Sequence, residues 1–371
     1  MKKVQRVEFI FEVVRTVLGI LIALCVTLVV IAFATKEGSV RDAIYNFALG
    51  PFTSKRRIGQ LLVKYTPYCL TGCGMCFMYA CGRFSLVAEG TINMAPIPAL
   101  ILMFYSGSFM TDLPLIVNLV IMLVVCCLAG VVLGLIPAFG REELGASEMV
   151  TSVIMNYMCL NLAQYVLKLT VADRSMAYIA SPIYPDNMHL PRFWTTSNFN
   201  AGIIVSIIGI IVAVLIFYRT RVGSKIRLVG ANNSFAEYSG INSKATMYAA
   251  QIICGIYAGA AAFVDAFGLY THYWYQALTN VGMDGLLVAV LARKQPIFVP
   301  LTAFVLAYIR TAAVILNTQT NIPLELCTMM QAVLVFFVAA ESFLSGTKKK
   351  VIFKMAREAE AAAEAAEKAE A

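Results

Sequence analysis

The sequence predicts an all-α polytopic membrane protein, with about ten transmembrane helices in two inverted repeats that contain broken helices. Three observations carry this. Hydrophobic residues make up 60% of the 371 positions and charged residues only 13%, where soluble domains hold roughly half and a quarter. The Lys and Arg residues cluster between long apolar runs, as cytoplasmic loops do. That clustering also excludes nucleic acid as the explanation of the +8 net charge. Two acid–glycine pairs, Glu89-Gly90 and Asp284-Gly285, each open an apolar helix, the pattern of broken helices in inverted-repeat transporters.

Taken in order, Met1-Lys2-Lys3 and Arg6 precede Val17–Ala34, a stretch of 18 residues without a charge. It is long enough to cross a bilayer, with its positive end inside. Ala32-Phe33-Ala34 has the form of a signal-peptidase site, but the apolar run exceeds the roughly 7–15 residues of a signal peptide, so an uncleaved span is expected in residues 1–35. Residues 36–64 are mixed and polar, with Ile58, Leu61, Leu62 and Tyr65 at helical spacing. They read as an interfacial segment on the outer side, against the charge of Lys55-Arg56-Arg57.

The core, residues 65–343, holds the spans Tyr65–Cys81, Ile92–Phe109, Leu113–Phe139, Met149–Leu167 and Phe199–Tyr218. After the loop 219–244 come Ala245–Phe267, Val281–Ala292, Ile297–Leu316 and Ile322–Phe343. Val281–Ala292 is too short to cross about 30 Å of hydrocarbon, so it reads as half of a broken element sheltered by protein. An even count puts both termini in the cytoplasm. Arg219, Arg221, Lys225 and Arg227 then fall inside, as do Arg293-Lys294 and Lys348-Lys349-Lys350. The tail, residues 344–371, is charged and rich in helix formers but lacks an apolar stripe.

The ten cysteines all lie in apolar segments and read as small hydrophobes rather than as a disulfide framework. Cys69, Cys73, Cys76 and Cys81 have no nearby His, and His189 and His272 stand apart from any Cys or Glu cluster, so no metal site is expected. There is no G-x-x-x-x-G-K-[ST] phosphate loop. The chain is therefore expected to be no enzyme and to bind no cofactor.

The loop 219–244 is a basic island. Within it Ser234-Phe235-Ala236-Glu237 has capping-box spacing, and Gly240 supplies a left-handed stop. The helix so defined is too short to stand alone, and membrane helices or a partner must hold it. Phe235 and Tyr238, three apart, give it a small apolar face.

A carboxylate near the bilayer centre costs roughly 2.5–3.5 kcal/mol, so Glu89, Asp265, Asp284 and Glu325 should face protein or water. Glu89 and Asp284 suit helix starts, which assigns Glu89, Gly90 and Gly285 to fixing the broken helices. Asn93 and Asn156 are polar within apolar helices and, with Asp284, are candidates for a solute path between the inverted halves.

Arg227-Leu228-Val229-Gly230-Ala231-Asn232, followed by Ala236-Glu237-Tyr238-Ser239-Gly240-Ile241, closely resembles the cytoplasmic loop of permease subunits from ribose-type and nucleoside-type ABC importers. Phe84–Thr91, Glu148–Tyr157 and Val281–Leu291 are similar to the same family, and the resemblance spans roughly residues 61–343. Ser85 and Val87 stand where relatives commonly have Asn and Gly, Thr91 where Gln is common and Ala292 where Gly is common.

The resemblance implies a transport subunit that moves a nucleoside or simple sugar by alternating access in the bacterial inner membrane. Its implied partners are a cytoplasmic ABC ATPase that uses the ATP, a second permease, identical or related, and an extracellular or periplasmic solute-binding protein. It also implies that Asn232, Ser234, Phe235, Ala236, Glu237, Tyr238 and Gly240 face the ATPase. A branched-chain amino-acid permease is the nearest alternative. An ion-coupled secondary transporter using Glu89 or Asp284, or a scaffold, belongs to a different class.

Overall fold

A computed structural model of the chain describes residues 40–105, 113–194 and 196–320. The first span Val17–Ala34, the last span Ile322–Phe343, Glu325, Lys348–Lys350 and the tail lie outside the described residues. The helices are α1 (Val40–Ala48), α2 (Lys55–Ala80), α3 (Ala88–Met94), α4 (Pro96–Tyr105), α5 (Leu115–Leu144), α6 (Glu148–Thr170) and α7 (Gly202–Arg219). They continue as α8 (Arg221–Ala231), α9 (Asn233–Tyr238), α10 (Ser243–Val264), α11 (Val281–Leu291) and α12 (Val299–Thr320). Among the described residues there is no strand, only an isolated bridge between Arg192 and Asn200.

The chain divides into two compact units, residues 46–315 and residues 1–45 with 316–371. Of the latter, residues 40–45 belong to the first residues of α1 and residues 316–320 to the last residues of α12.

Five helical stretches among the described residues are long and apolar enough to cross a membrane: α5, α6, α7, α10 with its extension to Leu269, and α12 with the short turn before it. On α5, Val120, Val124, Leu128, Val132 and Ile136 are exposed at every fourth position, a stripe suited to lipid. Its opposite side meets α10 through G-x-x-x-G pairs, Gly130 with Gly134 and Gly255 with Gly259. A Cβ on Gly130 would come within 2.2 Å of the Gly255 carbonyl, and one on Gly259 within 2.3 Å of the Cys126 carbonyl. Small residues let the two backbones touch, which is how helices associate where no hydrophobic difference separates protein from lipid.

Helix α2 is the buried centre, packed on α10, α11 and α7. It begins at Ser54, whose hydroxyl accepts from the Arg57 amide, and continues through residue 64 without a break. The interfacial segment 36–64 and the core therefore share one helix. Pro67 inside it donates no backbone hydrogen bond, and the Thr71 hydroxyl donates to the Pro67 carbonyl at 2.8 Å. The single span expected over Ile92–Phe109 divides at Ala95 into α3 and α4, where Pro96 and Pro98 interrupt the helical ladder.

Candidate functional site

The two acid–glycine pairs lie together in space, but their acids act differently. Gly282, at the start of α11, packs against the start of α3 so closely that a Cβ there would reach 2.4 Å from the Glu89 amide nitrogen. The Glu89 carboxylate accepts from the backbone amides of Asn280 (2.6 Å), Gly282 (2.7 Å) and Met283 (3.2 Å), and from the Thr279 hydroxyl (3.1 Å). It thus caps α11 rather than its own helix. Asn280, with φ 61°, turns the chain into this cradle. The orphan amides and positive dipole end of α11 are answered by a buried carboxylate.

The start of α3 is capped in turn from α6. Asn156 Oδ1 accepts from the Gly90 amide at 2.8 Å, and the Ser152 hydroxyl accepts from the Leu86 amide at 3.0 Å. Gly90 is required here, since a Cβ would meet the Asn156 backbone at 2.9 Å. Asn93, buried on α3, donates from Nδ2 to the Glu89 carbonyl at 2.8 Å. Its Oδ1 has no hydrogen-bond partner among the described residues.

Asp284 has a separate set of partners. Arg310 of α12 reaches both of its oxygens, Nε at 3.0 Å and Nη2 at 2.8 Å, and the Tyr68 hydroxyl donates at 2.6 Å. The Asp284 side chain is only 3% exposed, so the planar guanidinium fork answers a charge that lipid could not. Gly285, beside it, admits Thr71 of α2, whose Oγ1 would lie 2.1 Å from an added Cβ. Asp265, at the π-turn that ends α10, accepts from the Tyr275 hydroxyl. The structure therefore brings Glu89, Gly90, Asn93 and Asn156 together at one junction with the start of α11, and holds Asp284 and Gly285 one turn further on against α2 and α12.

The short helix in the basic loop exists, but the cap expected at Ser234 is supplied by Asn232. Its backbone is extended (φ −157°, ψ 106°) and its Oδ1 accepts from the Phe235 amide at 3.0 Å. Ser234 lies inside α9, and the Glu237 carboxylate accepts from Asn233 Nδ2 at 3.1 Å instead of reaching back to the backbone. Gly240 is left-handed (φ 78°), and the Ile241 amide closes onto the Ala236 carbonyl at 2.9 Å, a Schellman stop. Ala236 is buried, while Phe235 is 59% and Tyr238 93% exposed.

Two contacts tie this loop to the bundle. Gly230 lies against the end of α2, a Cβ there falling 1.8 Å from the Ala80 carbonyl. Lys244 pairs with Glu143 at 3.5 Å, beside the Arg83–Glu142 pair at 2.8 Å.

The described residues thus form a bundle of apolar helices with a capped turn on its surface and two short helices meeting inside. The family model for the permease component of the branched-chain amino acid transport system matches residues 57–339. The chain belongs to this family. Among its relatives, nucleoside ABC transporter permease protein NupB of Lactococcus lactis is 26% identical, over 85% of this chain and 86% of that protein. Guanosine ABC transporter permease protein NupP of Bacillus subtilis is 24% identical, over 87% and 92%. Glucose ABC transporter permease protein TsgB13 of Haloferax volcanii is 21% identical, over 81% and 80%. This permease is thus a multi-pass membrane protein of ABC import systems, whose permease subunits are not themselves enzymes.

Arg310 carries no signal in the apolar periodicity of α12. A lone arginine inside an apolar span calls for a polar partner, but nothing in the sequence selects Asp284 from Glu89, Asp265, Asp284 and Glu325; the structure makes that choice. The role of Glu89 as a cap for a helix 191 residues away has no local signature.

Proposed function

We propose that this permease moves a nucleoside into a bacterial cell as half of the membrane path of an ABC importer, with separate cytoplasmic ATPase subunits supplying ATP hydrolysis. The observation that carries the reading is the junction at which α3 and α11 meet start to start, clasped by Glu89. Short helices that end inside a bundle are where transporters place a solute-facing constriction. In this reading about ten spans form two inverted halves around that junction, and both termini are cytoplasmic. Asn93 faces the solute path, while Asn156 and Asp284 hold its walls. The turn 232–240 docks on the ATPase, with Phe235 and Tyr238 as its apolar contact. A second permease, identical or related, completes the path, and an extracellular or periplasmic solute-binding protein delivers the solute. The chain binds no cofactor of its own.

The relatives NupB and NupP support a nucleoside. A simple sugar is the second reading, favoured by the glucose permease TsgB13. An ion-coupled mechanism through Glu89 or Asp284 fits less well, because backbone amides and Arg310 already engage those carboxylates.

The test is uptake by the importer reconstituted in proteoliposomes with its ATPase and binding protein, using labelled guanosine, ribose and leucine. ATP-dependent guanosine uptake is expected. Uptake of leucine alone would replace the nucleoside reading with the amino-acid one, and ATP-independent uptake driven by a proton or sodium gradient would remove the importer reading.

A further inference from the structure

The basic run Lys55-Arg56-Arg57 opens α2, and its members are used differently. Arg57 is tied into the turn before the helix. Its Nη1 donates to the Thr53 hydroxyl at 2.7 Å and to the Gly50 carbonyl at 3.3 Å, and the Thr53 hydroxyl donates to that same carbonyl at 2.7 Å. Lys55 and Arg56 are exposed, and among the described residues no carboxylate pairs with either.

The same turn carries apolar side chains outward. Leu49 is 49% and Phe52 50% exposed, and the Phe52 amide donates to the Leu49 carbonyl at 2.9 Å, which sets both on one short turn just before Lys55. The turn has a fixed seat on α12. The Tyr308 hydroxyl lies 2.8 Å and 2.7 Å from the Phe47 and Ala48 carbonyl oxygens, and its ring stacks on Phe52 at 5.9 Å. Gly50 sits so close that a Cβ there would meet Ile315 at 3.2 Å. Ile315 precedes the end of the α12 stretch that is long enough to cross a membrane, at Gln319, by about 6 Å of helix. The patch therefore stands at the level where hydrocarbon gives way to headgroups.

On a soluble surface, exposed cations need no partner but water. At the edge of a bilayer, two cations beside two exposed apolar side chains are complementary to a molecule whose anionic group adjoins hydrocarbon. Headgroup phosphates attract basic clusters next to membrane helices. Long Lys and Arg side chains reach those phosphates while their stems lie on apolar surface, and Leu and Phe of the same segment bury against acyl chains. The positive dipole end of α2, a helix of 26 residues, adds to the potential at that point. A free phosphate would engage the cations and leave Leu49 and Phe52 without a contact.

We propose that Lys55 and Arg56, with Leu49 and Phe52, form a binding site for an anionic phospholipid, the cations on its phosphate and the apolar pair on its acyl chains. The site accounts for a basic cluster that the expected topology leaves on the outer side, against the usual distribution of positive charge. Bound lipid braces the start of α2 through the turn that Arg57 closes, and α2 is the helix that carries Tyr68 to Asp284 and Thr71 to Gly285. The inference does not depend on which solute is carried.

In the test, full-length permease in detergent is titrated with phosphatidylglycerol and, separately, with zwitterionic phosphatidylcholine, and bound lipid is counted by native mass spectrometry. The first phosphatidylglycerol is expected to bind more tightly than phosphatidylcholine. Lys55→Gln with Arg56→Gln should weaken it about 25-fold, each cation near an anionic surface contributing roughly a factor of five. Phosphatidylcholine binding should not change, and Lys55→Arg with Arg56→Lys should bind phosphatidylglycerol as wild type does. Leu49→Ser keeps both cations and should weaken phosphatidylglycerol about fivefold, the effect of exposing part of a leucine. Equal affinity of the wild type for the two lipids, or unchanged phosphatidylglycerol affinity in the folded double glutamine variant, would overturn the site. If that variant does not fold, Leu49→Ser decides in the same way. Displacement of the lipid by an equal concentration of inorganic phosphate would show a free-anion site instead. Loss of binding-protein affinity in the double glutamine variant, with no lipid preference in the wild type, would show a protein-docking surface. Either result overturns the lipid assignment.

Discussion

Replacing Glu89 tests the junction at its centre. In Glu89→Ala the amides of Asn280, Gly282 and Met283 lose their acceptor inside the bundle, and the Thr279 hydroxyl loses a fourth bond. At about 1 kcal/mol net for each backbone bond the loss is about 3 kcal/mol. The variant no longer has a carboxylate to desolvate, which offsets part of this. Glu89→Gln keeps one acceptor oxygen but turns an NH₂ towards amides that also donate, so about half of the loss is expected. Thr279→Val removes one bond and should cost about 1 kcal/mol. The expected order of destabilisation is Thr279→Val, then Glu89→Gln, then Glu89→Ala. It is measured by thermal denaturation in detergent, with hydrogen exchange read at residues 279–283. Exchange should rise first there, because those amides are the ones released. A Glu89→Ala protein that melts with wild type, and whose amides at 280, 282 and 283 exchange no faster, would refute the capping argument.

Arg310→Met should cost about 3 kcal/mol, the low end for a broken buried pair, because Arg310 is 30% exposed while the Asp284 side chain is at 3%. Combining it with Asp284→Leu should recover part of the loss, which a double-mutant cycle of melting temperatures would detect. In the surface turn, Asn232→Ala should weaken α9 by about 1 kcal/mol while Ser234→Ala leaves it within about 0.5 kcal/mol; limited proteolysis of the loop distinguishes the two, and equal sensitivity would contradict the cap at Asn232. Glu237→Pro, and separately Phe235→Asp with Tyr238→Asp, should abolish solute-stimulated ATP hydrolysis in reconstituted importer while the permease still inserts. Normal stimulation in both would remove the turn from the ATPase contact.

What the sequence makes legible follows from how far each signal reaches along the chain. Helices α5, α6, α7 and α10 occupy nearly the expected runs because long uncharged stretches leave no alternative to a helix in lipid. The boundary expected at residue 64 rests on polarity, and polarity does not break a helix; Lys55–Ala80 runs through it as one helix, with its polar N-terminal turns continuing directly into the buried run. Conversely, Ala95-Pro96 is a local break signal inside an apolar run, and hydropathy hides it. In the surface turn, Asn232 and Ser234 are both competent caps, and spacing alone favours Ser234 because Glu237 follows it by three. The extended backbone at Asn232, with its Oδ1 on the Phe235 amide, selects the other. The acid–glycine pairs are visible as a pattern, but their use depends on tertiary partners. Glu89 faces α11, and Asp284 faces Arg310 and Tyr68.

Helix α2 joins the two regions that the proposed function requires to communicate. Its last carbonyls touch Gly230 at the end of α8, just before the turn 232–240, and its middle holds Gly285 of α11 through Thr71 and Asp284 through Tyr68. Side chains at those contacts are absent or fully packed, so a displacement of α8 has no slack to absorb it before it reaches α2. A rigid helix transmits such a displacement along its axis, and α11 is the element placed to receive it. Its start is held by the Glu89 hydrogen bonds, by Val281 packed against Ile92, Ala95 and Ala262, and by the close approach of Gly282 to the α3 backbone. In the proposed importer, displacement of α8 is therefore expected to reach the Glu89 junction through α2 and α11, and Gly230→Ala, which forces α8 away from the Ala80 carbonyl, should lower ATP-driven uptake; wild-type uptake in that variant would refute the route.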